Sequence, residues 1–370
     1  MVRRPLAQRN IELTSLGTVQ PNVYKIQDED LPIETITTSA TNLLSQLSDA
    51  EKSKLTYPIN AKEWRAWSNP EILLRPFGIR LEEVPETTAQ AILAVIEASL
   101  SPEGYQKALA AMRINHFLGE VVGLPQIMNK YSYNFLLFGE LSETKAWGWL
   151  LYGHHLCLSV LFKGKQIVVS PTFTGAEPNI IDDGPWAGTA ILHKEGDLGL
   201  KLMQSLTPVQ QKKAQVYKLL KDPGMEQTGN LITDRWNKDD QRHVCGAFRD
   251  NRIVPYEGLN VSSLSAEQHS LILSLIEEFV QYLPQTSRKL RLDQIKKHLD
   301  ETYFCWIGGY GDEDAFYYRI QSPVIIAEFD HHSGVFLSNT EPMKFHTHTI
   351  VRSPNGGDYG NAIRQPEEKL

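Results

Sequence analysis

The sequence predicts an α+β fold, in which antiparallel sheet units carry helices packed on one face and a helical part comes first. Two stretches, from Tyr131 to Pro171 and from Tyr303 to Val351, combine aromatic and β-branched residues with short glycine-containing turns. Connections this short favour antiparallel pairing, because a parallel crossover needs about a dozen residues or more. Ala146 and Ala315 begin similar strand–turn–strand units, so the sequence is compatible with a duplicated sheet unit.

Helices are predicted where a leucine precedes a serine or threonine that can cap free backbone amides. The four capping residues are Ser48, Ser101, Thr207 and Ser265. A Glu or Gln three residues after Ser48, Thr207 and Ser265 completes a capping box in those three cases. These signals lie before the first sheet stretch and between the two stretches.

The expected organisation is a polar N-terminal arm followed by one α+β catalytic domain. The first residues are polar, contain proline and show no periodicity, which is typical of a loosely attached segment. The predicted parts are an arm over 1–40 and a domain over 41–370, which comprises a helical part 41–125, a first sheet unit 126–175, a helical insert 195–300 and a second sheet unit 301–370.

Composition narrows the classes of partner. The chain has 370 residues and a net charge of −7, which speaks against broad nucleic-acid binding. No apolar run approaches the ~20 residues of a membrane span, and the basic start is not followed by a secretory signal. Three dispersed cysteines suit a reducing compartment rather than a disulfide framework. We therefore expect a soluble cytoplasmic protein; the sequence does not predict its oligomeric state.

The histidines are unusually clustered. Six of the eleven fall in three tight pairs. Neutral imidazole is a common ligand of divalent transition metals, and carboxylates often complete such sites. The pairs are His154 with His155, His331 with His332, and His346 with His348.

The pair His346 and His348 is the strongest metal-ligand candidate. Alternate side chains of a strand share a face, so both imidazoles should point the same way. His154 and His155 are neighbours and cannot share a face of a regular strand, although Gly153 could allow a bulge. We expect one of them to be a ligand, with a slight preference for His155; both remain candidates.

Glu328 and Asp330 share a face of a strand that follows a buried apolar run. A buried carboxylate needs a partner, so Glu328 is a candidate metal ligand and either residue a candidate base. The alternative is an ion pair with Arg319 or Arg352. His331 and His332 come next, where an exposed turn is expected, and are weak candidates.

The tail after the His-x-His strand is dense in turn-forming residues and should border the same site. Arg352 could bind a substrate carboxylate, and Asp358 could orient an imidazole. The alternative is a self-contained surface turn. Glu177 is a weaker candidate acid or base. The histidines expected to be structural or solvent-facing are His116, His193, His243, His269 and His298.

Four blocks together resemble an uncharacterised family. They are Gly-His-His at 153–155, Glu-x-Asp at 328–330, His-x-His at 346–348 and Asp-Tyr-Gly at 358–360. The chain resembles, over most of its length, the domain-of-unknown-function family numbered thirty-five hundred. The resemblance implies that these blocks belong to one unit and implies no reaction or cofactor. His331 and His332 depart from the family pattern.

The leading functional hypothesis is a metal-dependent enzyme that acts on a small organic molecule, with a carboxylate-bearing substrate allowed by Arg352. Hydrolysis by metal-activated water has the simplest requirements. A non-haem metal oxygenase or oxidoreductase would use the same ligands. The alternative of another class is a non-catalytic ligand-binding protein with structural histidines. The expected cofactor is zinc or iron, with manganese or copper allowed. The common kinase, serine-hydrolase, zincin and dehydrogenase motifs are absent from the sequence.

Overall fold

The structure of the protein is a computed structural model. In the part of the chain that it describes, twelve strands form one sheet. That part comprises residues 12–70, 77–225, 227–229, 233–334 and 336–364. The strands are β1 Thr56–Tyr57, β2 Ile79–Arg80, β3 Tyr133–Phe138, β4 Ala146–Gly153, β5 Leu156–Lys163, β6 Gln166–Ala176, β7 Gln215–Tyr217, β8 Leu259–Asn260, β9 Tyr303–Gly308, β10 Phe316–Gln321, β11 Ile326–His331 and β12 Thr347–Arg352.

The α+β prediction is confirmed, because the pairing is mostly antiparallel and helices accompany the sheet. Only β1 with β3 and β7 with β9 pair in parallel among the described strands. The helices are α1 Ile33–Ser45, α2 Asp49–Leu55, α3 Glu86–Ser99, α4 Pro102–Val121, α5 His193–Ser205, α6 Pro208–Ala214, α7 Ala266–Phe279 and α8 Gln285–Lys297.

The four predicted caps begin helices. Ser48, Thr207 and Ser265 each close a capping box with the Glu or Gln three residues on. Ser101 accepts a hydrogen bond from the Gly104 amide at the start of α4. No helix in the described ranges has the length and apolar character needed to cross a membrane.

The same order of elements occurs twice along the chain. Two helices, a short edge strand, a second short strand, two helices and a four-stranded meander form each half. The sheet order is β1-β3-β4-β5-β6-β12-β11-β10-β9-β7, with β2 on β3 and β8 on β9, so the halves meet where β6 pairs with β12. The predicted helical insert is therefore the beginning of the second half rather than an insertion. Its residues 218–258, where described, contain neither a helix nor a named strand.

A glycine before the second short strand of each half illustrates the repetition. Gly78 has φ +79° and Gly258 has φ +87°. A Cβ atom on either glycine would lie 2.3 Å from a backbone oxygen, that of Phe135 or Phe304. Both positions need a residue without a side chain that tolerates the left-handed region.

The sheet is covered differently on its two faces. Helices cover one face, where Val351 and Phe329 belong to the largest apolar cluster. Ile350, the residue before Val351 in β12, lies on the opposite face. It belongs there to a second apolar cluster with Trp67 and Tyr359, which come from irregular segments. Helix packing therefore positions the sheet, while loops enclose its other face.

The predicted arm over 1–40 does not end at residue 40. That boundary falls inside α1, and Ile36 and Ala40 have no solvent-exposed surface. Leu13 is also buried, and its carbonyl accepts a hydrogen bond from the Asn355 amide. Apolar residues at helical spacing pack α1 against α3. The polar composition of the segment did not indicate this packing. Residues 1–11 lie outside the described part of the chain.

Candidate metal centre

Three imidazoles converge near the junction of the two halves. The Nε2 atom of His348 lies 2.9 Å from Nε2 of His346 and 3.1 Å from Nε2 of His155. One ring nitrogen from each residue lies within 4.8 Å of the other two. The exposed fractions are 1% for His155, 4% for His346 and 2% for His348. We call these three residues the three-histidine cluster.

Strand alternation brings two of the rings together. His348 is the second residue of β12, and His346 lies immediately before the strand. Two residues apart in extended backbone, their side chains leave the same face. That face is the one covered by irregular segments rather than by helices.

The third ring comes from the hairpin turn between β4 and β5. Gly153 pairs with Leu156, so His154 and His155 form a two-residue turn rather than the predicted strand or bulge. His155 has φ +61°, a left-handed conformation that redirects its side chain. Its amide donates to Oδ1 of Asn69 at 3.1 Å. The turn therefore decides which of the two imidazoles reaches the cluster.

Gly175 makes room for the cluster. It pairs with His348 across β6 and β12, and its amide donates to the His155 carbonyl at 2.8 Å. A Cβ atom at this position would lie 2.7 Å from Cδ2 of His155 and 3.0 Å from Cδ2 of His348. The two rings can approach only because residue 175 has no side chain.

Burial keeps the cluster neutral. Desolvation lowers the pKa of His346 to about 3 and holds the pKa values of His155 and His348 well below the ordinary histidine value. The neighbouring histidines lower the pKa values of His155 and His348 further, because adjacent positive charges repel. A neutral imidazole is the form that binds metals.

Hydrogen bonding alone satisfies these nitrogens poorly. A neutral ring nitrogen carries either one proton or one lone pair, yet Nε2 of His348 faces two other Nε2 atoms. A metal ion would accept a lone pair from all three. Tetrahedral Zn²⁺ with Zn–N bonds of about 2.0–2.1 Å separates its ligand nitrogens by roughly 3.3 Å. The two separations that involve His348, 2.9 and 3.1 Å, are within tenths of an ångström of that value.

A carboxylate and a further imidazole lie beside the cluster. Oε2 of Glu177 is 3.7 Å from Nδ1 of His346, the ring nitrogen opposite the convergence point. This separation is longer than a hydrogen bond, and Nδ1 of His346 has no hydrogen-bond partner among the described residues. A closer approach of the carboxylate would let it hold the Nδ1 proton and so direct Nε2 toward a metal. His332 stacks on His348 with ring centroids 4.3 Å apart, and its Nδ1 lies 2.7 Å from the Ser333 carbonyl.

Residues 29–361 match the protein family described as "Protein of unknown function (DUF3500)". The match spans nearly the whole chain. This chain belongs to the DUF3500 family. The resemblance predicted from the histidine and carboxylate blocks is thereby confirmed. Comparisons with curated proteins and with solved structures found no match.

In this DUF3500 chain, His154 supports the cluster from outside it. Its Nδ1 lies 2.8 Å from Oδ1 of Asn115, and its carbonyl accepts a hydrogen bond from the Tyr133 hydroxyl. The ring stacks on His155 with centroids 3.8 Å apart. Of the predicted pair, His155 thus reaches the cluster, while α4 and β3 hold His154.

Glu328, predicted as a metal ligand or base, is not in the cluster. Its oxygens accept hydrogen bonds from the amides of Val244 and Cys245 and from the Tyr317 hydroxyl, at 2.6–2.9 Å. Burial alone would raise the pKa of this carboxyl, but His243, Arg319 and Tyr317 outweigh burial and lower it. The carboxylate therefore anchors the irregular segment around residue 244 to the sheet.

Asp330, the other candidate base, forms a buried ion pair. Arg242 donates from Nε and Nη2 to the two carboxylate oxygens at 2.6 and 2.9 Å. Asp330 pairs with His348 in the strand register, but its charge is directed to Arg242. No pattern in the sequence singles out Arg242, which lies in a segment whose described residues form neither a helix nor a named strand.

Arg352 and Asp358 bind each other rather than a substrate or an imidazole. Nε of Arg352 donates to Asp358 at 2.7 Å, and Nη2 donates to Asp250 at 2.7 Å. Asp358 also accepts from the Ser170 hydroxyl and the Ser353 amide. The tail 353–361 is buried, so it is not the predicted surface turn. Arg352 is fully buried and its guanidinium is held by two carboxylates, and its contact with a substrate stays a prediction.

Two histidines were placed wrongly by the sequence, and a third is buried near the cluster. His331 and His332 are buried rather than in an exposed turn. Nδ1 of His331 accepts from the Phe316 amide on the helix-covered face. His243, expected to be structural or solvent-facing, is fully buried, and its ring stacks at 6.1 Å from that of His348. The contacts of His243 depend on the irregular segment, which carries no periodic signal.

Proposed function

We propose that this protein is a metal-dependent enzyme in which His155, His346 and His348 bind one divalent transition metal ion. The observation that carries the proposal is the convergence of three buried Nε2 atoms, two of the separations being 2.9 and 3.1 Å. Buried, neutral imidazoles without solvent access are costly unless their nitrogens have partners, and a metal ion would supply one to all three.

The number of ligands favours a catalytic rather than a structural ion. Structural zinc sites are closed by four protein ligands, whereas catalytic sites have three and keep a position for water or substrate. Among the described residues, no fourth His, Cys, Asp or Glu joins the group. A bound ion would lower the pKa of a water at the open position, which is the requirement for hydrolysis.

The ligand types favour zinc hydrolysis over iron oxygenase chemistry. Non-haem iron oxygenases use two histidines and one carboxylate. Here Glu328 and Asp330 are engaged by backbone amides and by Arg242, and Glu177 faces the far side of His346. Three imidazoles also suit copper, so the identity of the ion must be measured.

The substrate that we propose is a small organic molecule. The expectation of a carboxylate-bearing substrate depended on Arg352, whose guanidinium is paired with Asp250 and Asp358. We also propose a cytoplasmic location, because Cys157, Cys245 and Cys305 are all buried and unpaired.

Elemental analysis of the purified protein tests the proposal. The protein is stripped with a chelator, reconstituted separately with Zn²⁺, Fe²⁺, Cu²⁺ and Mn²⁺, and desalted. We expect one bound ion per chain, lost in His348→Ala and retained in His193→Ala, which removes an exposed histidine at the start of α5. Reconstituted and stripped proteins are then compared on chromogenic carboxylic and phosphoric esters.

Two results would overturn the proposal. If the folded, stripped protein takes up none of the four ions, the proposed metal centre is rejected. If an ion binds but the protein shows neither hydrolysis nor oxidation that requires this ion, the third hypothesis, a non-catalytic binding protein, is favoured. Zinc with ester hydrolysis supports the leading reaction, and copper or iron with oxygen consumption supports the oxidative alternative.

A further inference from the structure

A cavity of about 760 Å³ lies away from the three-histidine cluster. It is bounded by the N-terminal segment 20–29, by the end of α7, by α8 along its length, and by β6 and β12. Its volume falls within the roughly 300–1,000 Å³ typical of small-molecule sites. No histidine of the cluster lines it.

One part of the wall of the cavity is apolar. Ile167 from β6, Phe279 from α7 and Val351 from β12 contribute side chains. Leu283, just before α8, and Leu290, within it, add to this apolar part. The first three are also members of the main apolar cluster or in contact with it. A ligand with an aliphatic or aromatic body would bury apolar surface here.

Basic residues predominate among the charged residues of the wall. Four are basic and two are acidic, although the whole chain has a net charge of −7. Arg291 donates to the Val324 carbonyl and the Ser353 hydroxyl, which fixes its position in the wall. The local excess of positive charge favours an anionic ligand. The charged residues are Lys25, Arg291, Lys296 and Lys297, with Glu29 and Asp293.

One buried polar atom in the wall has no partner. Ser287 is 3% exposed, and among the described residues nothing forms a hydrogen bond with its hydroxyl. Ser287 and Arg291 are four residues apart on α8, so their side chains lie on the same side of the helix. A buried hydroxyl without a partner is destabilising, and a ligand oxygen would relieve that cost.

We propose that this cavity binds an amphiphilic monocarboxylate, with its apolar body against Ile167, Phe279 and Val351 and its carboxylate near Ser287 and Arg291. The Ser287 oxygen is closed to solvent in the unliganded protein, so its hydroxyl donates to a carboxylate oxygen after a rotation about χ1. The lysines Lys296 and Lys297 attract the anion. This site is separate from the proposed metal centre, because Val351 and His348 lie on opposite faces of β12.

Calorimetric titration with decanoate, below its micelle concentration, tests the site, with decanol as the uncharged probe. We expect saturable binding of one decanoate per chain and at least about tenfold weaker binding of decanol, because a charge-assisted hydrogen bond is lost. His348→Ala should bind decanoate as the wild type does, which separates this proposal from the metal centre.

Two matched pairs of variants locate the ligand. Ser287→Ala should weaken decanoate binding about tenfold, whereas Ser159→Ala should not, since it removes another buried hydroxyl without a partner, outside the cavity. The double variant Lys296→Met with Lys297→Met should weaken binding severalfold. Its control is Lys212→Met with Lys213→Met, at the end of α6.

The melting temperature of unliganded Ser287→Ala should not fall, because the hydroxyl that it removes has no partner. Saturable binding that follows these pairs supports the proposal. Absence of saturable decanoate binding, equal affinity for decanol, or equal losses in variants and controls would overturn it.

Discussion

His155 and His348 are 193 positions apart in the chain, yet their Nε2 atoms lie 3.1 Å from each other. Gly175 connects them, since it pairs with His348 across the sheet and donates its amide to the His155 carbonyl. The contact therefore depends on the strand pair that joins the two halves of the molecule. We therefore expect a substitution at this strand pair to disturb the three-histidine cluster more than it disturbs the fold.

Gly175→Ala should weaken metal binding. The added Cβ would lie 2.7 Å from the ring of His155, so that ring or β6 must move. We expect at least about a tenfold loss of affinity, as for other changes that disturb ligand orientation. Competition with a chromophoric chelator measures it. Gly224→Ala, exposed and with its nearest atom at 3.3 Å, is the control; equal affinity in the two variants would contradict the role of Gly175.

The sequence predicted the elements of the fold well because their signals are local. The capping boxes at Ser48, Thr207 and Ser265 and the short turns of both meanders require only neighbouring residues. The boundary of the arm failed because the packing of α1 depends on α3, which is distant in sequence.

The candidate site was predictable only in part. The alternation of His346 and His348 follows from strand geometry, and the preference for His155 over His154 agrees with the geometry although the turn was not foreseen. The partners of Asp330 and Arg352 could not be predicted. Both residues form an ion pair with a residue of an irregular segment, and no periodic pattern in the sequence predicts such a contact.

Glu177→Gln should weaken metal binding without destabilising the metal-free protein. Oε2 of Glu177 lies 3.7 Å from Nδ1 of His346, too far for a hydrogen bond, so its influence on the ring is that of a nearby negative charge. Glutamine has a similar shape but lacks the charge that raises ligand basicity. We expect about a tenfold loss of affinity at neutral pH. Glu341→Gln, in the exposed part of the loop before β12, is the control. Unchanged affinity with altered thermal stability would instead indicate that Glu177 only packs against the loop.

Arg352→Met should destabilise the fold and leave the number of bound ions unchanged. It leaves Asp250 and Asp358 buried without their cation, and breaking a buried pair in this way costs about 3–5 kcal/mol. Urea unfolding measures the loss, with Lys289→Met on the exposed surface of α8 as the control. A variant as stable as the wild type that has lost turnover would favour the original prediction that Arg352 contacts substrate.

Glu12→Gln should stabilise the protein at neutral and alkaline pH but not in acid. Burial, and then the negative charge of Asp358, raise the pKa of Glu12 to about 7 in the folded protein. Because the folded pKa exceeds the unfolded one, the contribution of Glu12 to stability is fully present below pH 4.5 and is lost as the pH rises to about 7. Glutamine stays neutral and can still accept from Asn361. The difference in the free energy of unfolding should therefore grow between these pH values, to about 3 kcal/mol at most. Urea unfolding of both proteins at pH 4.5, 6 and 8 measures it, and a difference that does not change with pH would show that folding does not raise the pKa of Glu12.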